Sequence, residues 1–289
     1  MSLATVYRPG SIGLSFELFP PKTPKGEESL YRHVGQLMNF QPSFITCTYG
    51  AGGSTRDKTL GIVANVKRQF EIPVASHLTI VGSTTDELRA YLTEAKQRGV
   101  DYVVALRGDP PRGETEFVQT EGGLQYANEL VELIRAEFDS FGIAVAGYPE
   151  THQEAPSAEI DLQNLKRKTD AGANVVITQL FYRNEDFFEF RERYESSGIK
   201  LPLVPGILPV TNLSQIQRIT SLCRAQLPDE FVAELGKQDD EDWQFKAGVE
   251  FASRQVQDLI DGGVPGVHFY VLNKSQATSE VLRNVKLPS

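Results

Sequence analysis

Short β-branched or aromatic runs recur along the chain. They fall at 14–18 (LSFEL), 43–48 (SFITCT), 73–79 (PVASHLT), 101–107 (DYVVALR), 143–148 (IAVAGY), 174–180 (NVVITQL), 201–207 (LPLVPGI) and 266–272 (GVHFYVL). Runs of this length and composition read as strands. Between them, apolar residues follow the helical period. The clearest case is 84–98, where Thr84 and Glu87 have capping-box spacing. Leu88, Tyr91, Leu92 and Ala95 share one face of that segment, and Gly99 closes it. A second helix is expected over 157–171, ending near Gly172. A third starts at Asn212, with Leu213, Ile216, Ile219 and Cys223 on one face. A fourth runs through 247–260 and stops at Gly262-Gly263. Others are expected near 26–39, 57–69, 122–138 and 184–196.

Eight strands alternating with eight helices imply parallel strands joined by crossover helices. In 289 residues that count fits a closed (β/α)8 TIM barrel better than an open doubly wound sheet, which stays as the alternative. There is no linker or low-complexity stretch, so one catalytic domain over 1–289 is the simpler reading. The acidic segment 237–242 (KQDDED) reads as a solvated loop before the last helix.

Composition narrows the partners. Hydrophobic content of 40% and charged content of 23% describe an ordinary soluble protein. A net charge of −9, with no basic run, argues against a nucleic-acid partner. Two cysteines, Cys47 and Cys223, are too few for a disulfide framework and fit buried thiols in a reducing compartment. The N-terminus shows no charged region followed by an apolar stretch, and no apolar run approaches the roughly 18 residues of a membrane span. A cytoplasmic protein without membrane contact is expected.

The odd residue in the first strand is Glu17, set among Phe16, Leu18 and Phe19. Burying a carboxylate there costs several kcal/mol unless a partner or a pKa shift relieves it. Either Glu17 pairs with a cation or faces water, or the site needs a carboxyl group that holds its proton near neutral pH. In a barrel of this kind the active site lies at the C-terminal ends of the strands. Polar residues cluster at those ends: Glu17, Thr48, His77, Thr79, Arg107-Gly108-Asp109, Tyr148-Pro149-Glu150, His152, Thr178-Gln179, His268 and Asn273-Lys274.

Each alone is weak. His77 and His268 are more often hydrogen-bonded core histidines than catalysts, His268 especially. Asp109 before two prolines is a natural turn residue. Asp161, Asn164 and Lys168 make a stripe on one helix that ordinarily faces solvent. The glycines of 49–57 bring backbone N–H groups within reach of an anion but spell neither a G-x-G-x-x-G nor a P-loop. A metal held by Glu17, Asp109, Glu150 and His152 is conceivable, though no spacing singles it out, and none is expected. Pattern and composition reach a barrel enzyme with a carboxylate-rich mouth and no assigned reaction.

FELFPPKT, TYGAGGSTRD, SHLT, ALRGDPP, GYPETHQEA, DLQNLKRKTDAGAN, ITQLFY, PGILPVTN and HFYVLNK occur in that order over almost the whole chain. Together they resemble the methylenetetrahydrofolate reductase family in its short, bacterial-type form. The resemblance implies a (β/α)8 barrel holding FAD and no C-terminal regulatory domain after it. It implies a ping-pong reaction in which NADH or NADPH reduces the flavin, which then reduces methylenetetrahydrofolate to methyltetrahydrofolate for methionine synthesis. A homo-oligomer is expected.

By the same resemblance Glu17 is the general acid that opens the folate ring, with a raised pKa, and Asp109 lies near flavin and pterin. The flavin positions are Thr48, His77, Leu106, Arg107, Gly108, Asp109, Tyr126, Ala127, Tyr148 and His152. Asp161, Asn164, Arg167 and Lys168 hold the ribityl chain and diphosphate. Gln179 contacts folate and nicotinamide, and Lys274 meets the folate tail. The family often has phenylalanine where this chain has Leu18 and Leu180. Ile219 stands where some members stack a phenylalanine on nicotinamide and folate. The competing readings are a metal-dependent barrel lyase or aldolase and a catalytically silent binding barrel.

Overall fold

The computed structural model describes residues 3–7, 12–48, 56–110, 113 and 116–287. The strands are β1 (Gly13–Leu18), β2 (Phe44–Cys47), β3 (Val74–Thr79), β4 (Tyr102–Leu106), β5 (Gly142–Gly147), β6 (Val175–Thr178), β7 (Leu203–Val204), β8 (Gly206–Ile207) and β9 (Gly266–Tyr270). Helices α1 (Pro24–Leu37), α2 (Arg56–Phe70), α3 (Thr85–Gln97), α4 (Ala127–Glu137), α5 (Ala158–Asp170) and α6 (Asn184–Ser196) cross between the first strands. Four more follow: α7 (Leu213–Cys223), α8 (Asp229–Leu235), α9 (Glu241–Asp261) and α10 (Gln276–Asn284).

All strand pairs are parallel, in the order β7-β6-β5-β4-β3-β2-β1-β9-β8. The two ends of that order are the two halves of one stave, split at Pro205, so the sheet closes into a (β/α)8 barrel. The open-sheet alternative falls. The expected strand 201–207 is interrupted because proline has no N–H for the ladder. The Pro205 carbonyl still accepts the His268 N–H at 2.9 Å. The seam is tied further by Tyr270, whose hydroxyl donates to the Thr178 carbonyl at 2.7 Å, and by the Gly206 N–H on Thr178 Oγ1 at 2.9 Å.

Alternation along the strands sorts side chains into two cores. Phe16, Leu18, Ile45, Leu78, Val103, Ile143, Val145, Val176, Val267 and Phe269 face the helices. Phe44, Ala75, Tyr102, Val104, Ala144, Val175, Ile177 and Val204 fill the lower barrel, together with Leu3 and Tyr7 from the N-terminal segment. Tyr7 is admitted by two glycines: a Cβ at Gly13 or Gly266 would come within 2.6 or 2.5 Å of its ring. Above this apolar floor the inward positions turn polar, and the functional residues begin there.

The capping box at Thr84 and Glu87 forms as its spacing predicts. Four helices differ from the pattern. Helix α4 starts at Ala127 rather than near 122, because Gly122 takes φ 72° and Gly123 packs where a Cβ would meet the Ser83 carbonyl at 2.4 Å. Helix α9 starts at Glu241: Asp240 caps it by accepting the Trp243 N–H at 2.7 Å, and Glu241 and Asp242 form its acidic first turn. Carboxylates there favour the positive end of the helix dipole, so part of the expected acidic loop is helical. Helices α8 and α10 have seven and nine residues, too short for their periodicity to stand out.

A third apolar cluster lies above the barrel. Leu180, Tyr182, Leu208 and Val210, beyond the ends of β6 and β8, pack under Ile216 of α7 and under Phe231 and Leu235 of α8. A Cβ at Gly206 would stand 2.2 Å from the Thr178 carbonyl and 2.8 Å from the Tyr270 ring. Gly206→Ala should therefore destabilise the fold by about 1–3 kcal/mol, as overpacking does, read as a lowered midpoint in urea at unchanged slope.

Candidate active site

Glu17 faces inward from β1, in register with Thr46 of β2 and Tyr270 of β9. It is 6% exposed, which excludes the solvent-facing reading. Two imidazoles meet it. His77 Nε2 of β3 lies 3.0 Å and His268 Nε2 of β9 lies 3.3 Å from the same oxygen, Oε2. The other ring nitrogen of His268, Nδ1, is 2.7 Å from Ser15 Oγ, which is 3.2 Å from the Tyr7 hydroxyl. A connected polar chain thus runs from the barrel floor to the carboxylate.

Burial is the largest influence on Glu17 and by itself raises its pKa; the charge and hydrogen bonding of His77 and His268 together outweigh it and lower the pKa to about 2. The expected upward shift is therefore reversed in the free protein. The sequence placed weight on Phe16 and Phe19, yet Phe16 points to the helices and Phe19 is exposed. The partners that decide the charge come from strands distant in the chain. Thr46 Oγ1, buried beside Glu17, has no hydrogen-bond partner among the described residues.

A second group assembles across β4, β5 and α5. A cavity of about 240 Å³ is lined by Leu106, Arg107, Tyr126, Ala127, Tyr148, His152, Asp161, Asn164, Arg167 and Lys168, all singled out from sequence. Ala105, Asn128, Ala146, Glu154, Ala155 and Pro156 line it too and were not foreseen; small or adaptable residues at a wall carry no signal of their own. Arg107 pairs with Glu154 at 2.5 Å and stands over the Phe117 ring at 5.0 Å. Asp161 Oδ2 accepts the His152 backbone N–H at 2.9 Å, and Arg167 donates to Asn164 Oδ1 at 3.1 Å.

Lys168 is half-buried, donates to the Ala146 carbonyl at 2.6 Å, and lies 5.8 Å from the Tyr148 ring centre. Burial pulls its pKa down to about 8, against the opposing pull of Asp161. Burial likewise raises the carboxyl of Asp161 and lowers the imidazole of His152. Three cations against two carboxylates leave this cavity net positive in a chain of net charge −9. The stripe on α5 therefore lines this cavity, with Asn164 and Arg167 exposed and Asp161 and Lys168 half-buried.

The remaining expected residues spread around the mouth. Thr48 follows β2, and its carbonyl accepts the Thr59 hydroxyl at 2.9 Å. The glycines of 49–55 lie outside the described residues. Gly108 takes φ 90°, and a Cβ there would press within 2.6 Å of Val81, so the turn after β4 requires glycine. Asp109 beyond it is exposed, on the side of Tyr148 whose phenol it helps to keep protonated, after burial and Asp161. Gln179 turns back, its Oε1 accepting the Leu180 N–H at 2.9 Å. Ile219 packs at the margin of the upper apolar cluster together with Leu180.

Lys274 lines a separate cavity of about 370 Å³ with Tyr270, Gln215, Thr211, His33 and Gln276; no carboxylate among the described residues lines it. Gln215 was missed, and so were the reach of Tyr270 to this cavity and the closeness of His268 to Glu17. The alternation His268, Phe269, Tyr270 was the available signal, since it puts both polar residues on one face of the strand. Glu17, Asp109, Glu150 and His152 are not drawn together, and no metal-binding group of three or more His, Cys, Asp or Glu occurs among the described residues. No helix among them is long and apolar enough to cross a membrane.

Replacing His77 and His268 by leucine should leave burial unopposed and raise the Glu17 pKa above its ordinary carboxylate value, read from the carboxyl infrared band. In the wild type, Glu17 contributes stability that is full above about pH 4.5 and is lost as pH falls through about 2.

A family model described as methylenetetrahydrofolate reductase matches residues 3–286. The chain is 40% identical to 5,10-methylenetetrahydrofolate reductase of Escherichia coli, over 95% of this chain and 90% of that protein. It is 37% identical to methylenetetrahydrofolate reductase (NADH) 1 of Arabidopsis thaliana over 99% of this chain, and spans about half (50%) of that protein's length. Among solved structures, a Clostridium thermocellum protein that binds two copies of 5-methyl-5,6,7,8-tetrahydrofolic acid shares the fold. Its TM-score is 0.66 at 14% identity, over 95% of this chain and 93% of that one.

Proposed function

Because the chain belongs to the methylenetetrahydrofolate reductase family, we propose that it reduces 5,10-methylenetetrahydrofolate to 5-methyltetrahydrofolate, using FAD and NADH or NADPH in a ping-pong cycle that supplies methionine synthesis. The observation that carries this reading is the buried Glu17 carboxylate beneath the mouth of a barrel whose wall holds a cation-lined cavity. The family relation favours it over a metal-dependent lyase, and no three His, Cys, Asp or Glu among the described residues come together as a metal site.

The lining residues suit a flavin dinucleotide. Arg167, Lys168 and Asn164 present cationic and amide donors of the kind that hold a diphosphate. Tyr126, half exposed, offers a flat apolar face to a ring. Leu106, Ala105 and Ala146 make a smooth wall. Thr48, His77, Gly108 and Asp109 belong to the loops and strand ends around the same mouth. When bound, the flavin would supply hydride transfer between the nicotinamide and the folate methylene carbon.

The chain's own groups do the rest. Opening the folate ring requires a proton on the departing nitrogen, and Glu17 donates it. Glu17 begins as the anion, so it takes up that proton when substrate covers it and excludes water. His77 and His268 are the adjacent groups able to hand it over. Asp109, a negative charge at the rim, supports the cation that develops on the opened folate. Gln179 hydrogen-bonds the pterin and then the nicotinamide. The carboxylate-free cavity with Lys274 and Gln215 receives the anionic tail of the folate. Ile219 offers aliphatic contact without ring stacking.

Glu17→Gln should keep flavin binding and flavin bleaching by the nicotinamide, while reoxidation by methylenetetrahydrofolate slows by about 10²–10⁴-fold. Anaerobic stopped-flow on both half-reactions measures this, and equal loss in both would make Glu17 structural. Lys168 should also set a pH dependence. A bound diphosphate favours its charged form, so FAD affinity should be highest below about pH 8 and fall as pH rises through it. Titration of the apoprotein with FAD across that range should show the fall, and Lys168→Met should abolish it.

A further inference from the structure

Helix α7 follows β8 and reaches across the mouth to the loop after β5, and it is held at both ends. At its start Asn212 caps it by accepting the Gln215 N–H at 2.9 Å, and buried Gln244 of α9 accepts the Leu213 N–H at 2.9 Å. At its far end the chain turns at Arg224, with φ 58°, and the Gln226 backbone N–H donates to Glu150 Oε1 at 2.8 Å. Between these ends Ile216 and Ile219 pack with Leu180, Tyr182 and Leu208 above the strand ends.

Glu150 is half-buried and makes no ion pair among the described residues. The cation nearby, Arg183, pairs with Asp186 at 3.7 Å. Glu150 stands two residues from both Tyr148 and His152, which line the cation-bearing cavity. The next residue, Thr151, takes φ 70°, a left-handed conformation uncommon outside glycine. Such backbone persists where surrounding contacts hold it. This carboxylate therefore joins the loop of one cavity to the helix that roofs the other side of the mouth. A carboxylate accepting a backbone N–H makes one of the stronger hydrogen bonds, and losing it strands the donor.

We propose that Glu150 is a positioning residue for the reaction: it pins the far end of α7 and so fixes Ile219 and the substrate-side rim relative to the cofactor-side loop. What the rim serves rests on the function proposed above; the pin does not. The side chain touches neither the Glu17 group nor the cations, so its effect is on how well the rim is formed when substrates arrive.

The test is amide hydrogen exchange on the flavin-loaded protein, with Glu150→Ala and Glu150→Gln compared with wild type. Exchange at Gln226 and in the last turn of α7 should quicken about tenfold or more in Glu150→Ala. It should stay near wild type in Glu150→Gln, which keeps an acceptor oxygen. Steady-state kinetics should show KM for nicotinamide and folate rising about tenfold in Glu150→Ala, with kcat and bound flavin within about twofold.

Unchanged exchange in Glu150→Ala would overturn the proposal, as would equal effects of Ala and Gln. So would a loss of flavin and of protection throughout the barrel, since Glu150 would then support the fold as a whole. If exchange shifts as stated but wild-type protein reduces no folate, the pin stands and the proposed reaction falls. If wild-type protein reduces folate while exchange is unmoved by Glu150→Ala, the reaction stands and the pin falls.

Discussion

A carboxylate sealed inside a barrel must find donors there, because stranding a buried charge by removing its partner costs about 3–5 kcal/mol. Glu17 finds two imidazoles on one oxygen, from β3 and β9, and the rest of the upper barrel follows from that need. The inward faces of β1, β3 and β9 cannot be apolar at this height. His268 in turn must be oriented, and Ser15 and Tyr7 do so from below. The aromatic floor of Phe44 and Tyr102 keeps this polar chain away from bulk water at the lower end.

The mouth is asymmetric because the barrel is. One stave is split at Pro205, and β8 contributes only two residues to the ladder. Tyr270 compensates by reaching over to the Thr178 carbonyl, which places its ring beside Glu17 and in the wall of the carboxylate-free cavity. Over this weaker side lies the apolar roof of α7, α8 and the start of α9. Over the opposite side lie the cations of α5 and the loop after β4. One half of the mouth thus carries an excess of cations, and the other an apolar roof beside a cavity holding Lys274. Leu180 and Ile219, two of the three aliphatic residues at positions where the resemblance implies phenylalanine, belong to the same roof cluster, whereas Leu18 packs in the core against the helices.

Much of this was visible in the order of residues. Alternating strand and helix signals specify the barrel because parallel strands need crossover helices. The capping box at Thr84 and Glu87 formed as spaced. The stripe Asp161, Asn164, Arg167 and Lys168 was visible as a helical face, though whether it met solvent or a ligand depended on what packed opposite. Short helices such as α8 and the acidic start of α9 were hidden, since seven residues give too little period and carboxylates resemble a loop. The split of the seventh stave was written in Pro205, but its consequence for Tyr270 was not.

The sequence by itself determined the number and order of elements, the family, and which polar residues stand at strand ends. These are properties of local pattern and of motifs in order, and they survive without coordinates. The charge of Glu17 was decided only in three dimensions. Its neighbours in the chain, Phe16 and Phe19, argued for a raised pKa; the groups that set it arrive from β3 and from His268, 251 residues away. The same is true of Glu150 and Gln226, 76 residues apart. Electrostatic energy depends on distance through space and on the loss of water, and neither is a function of separation along the chain.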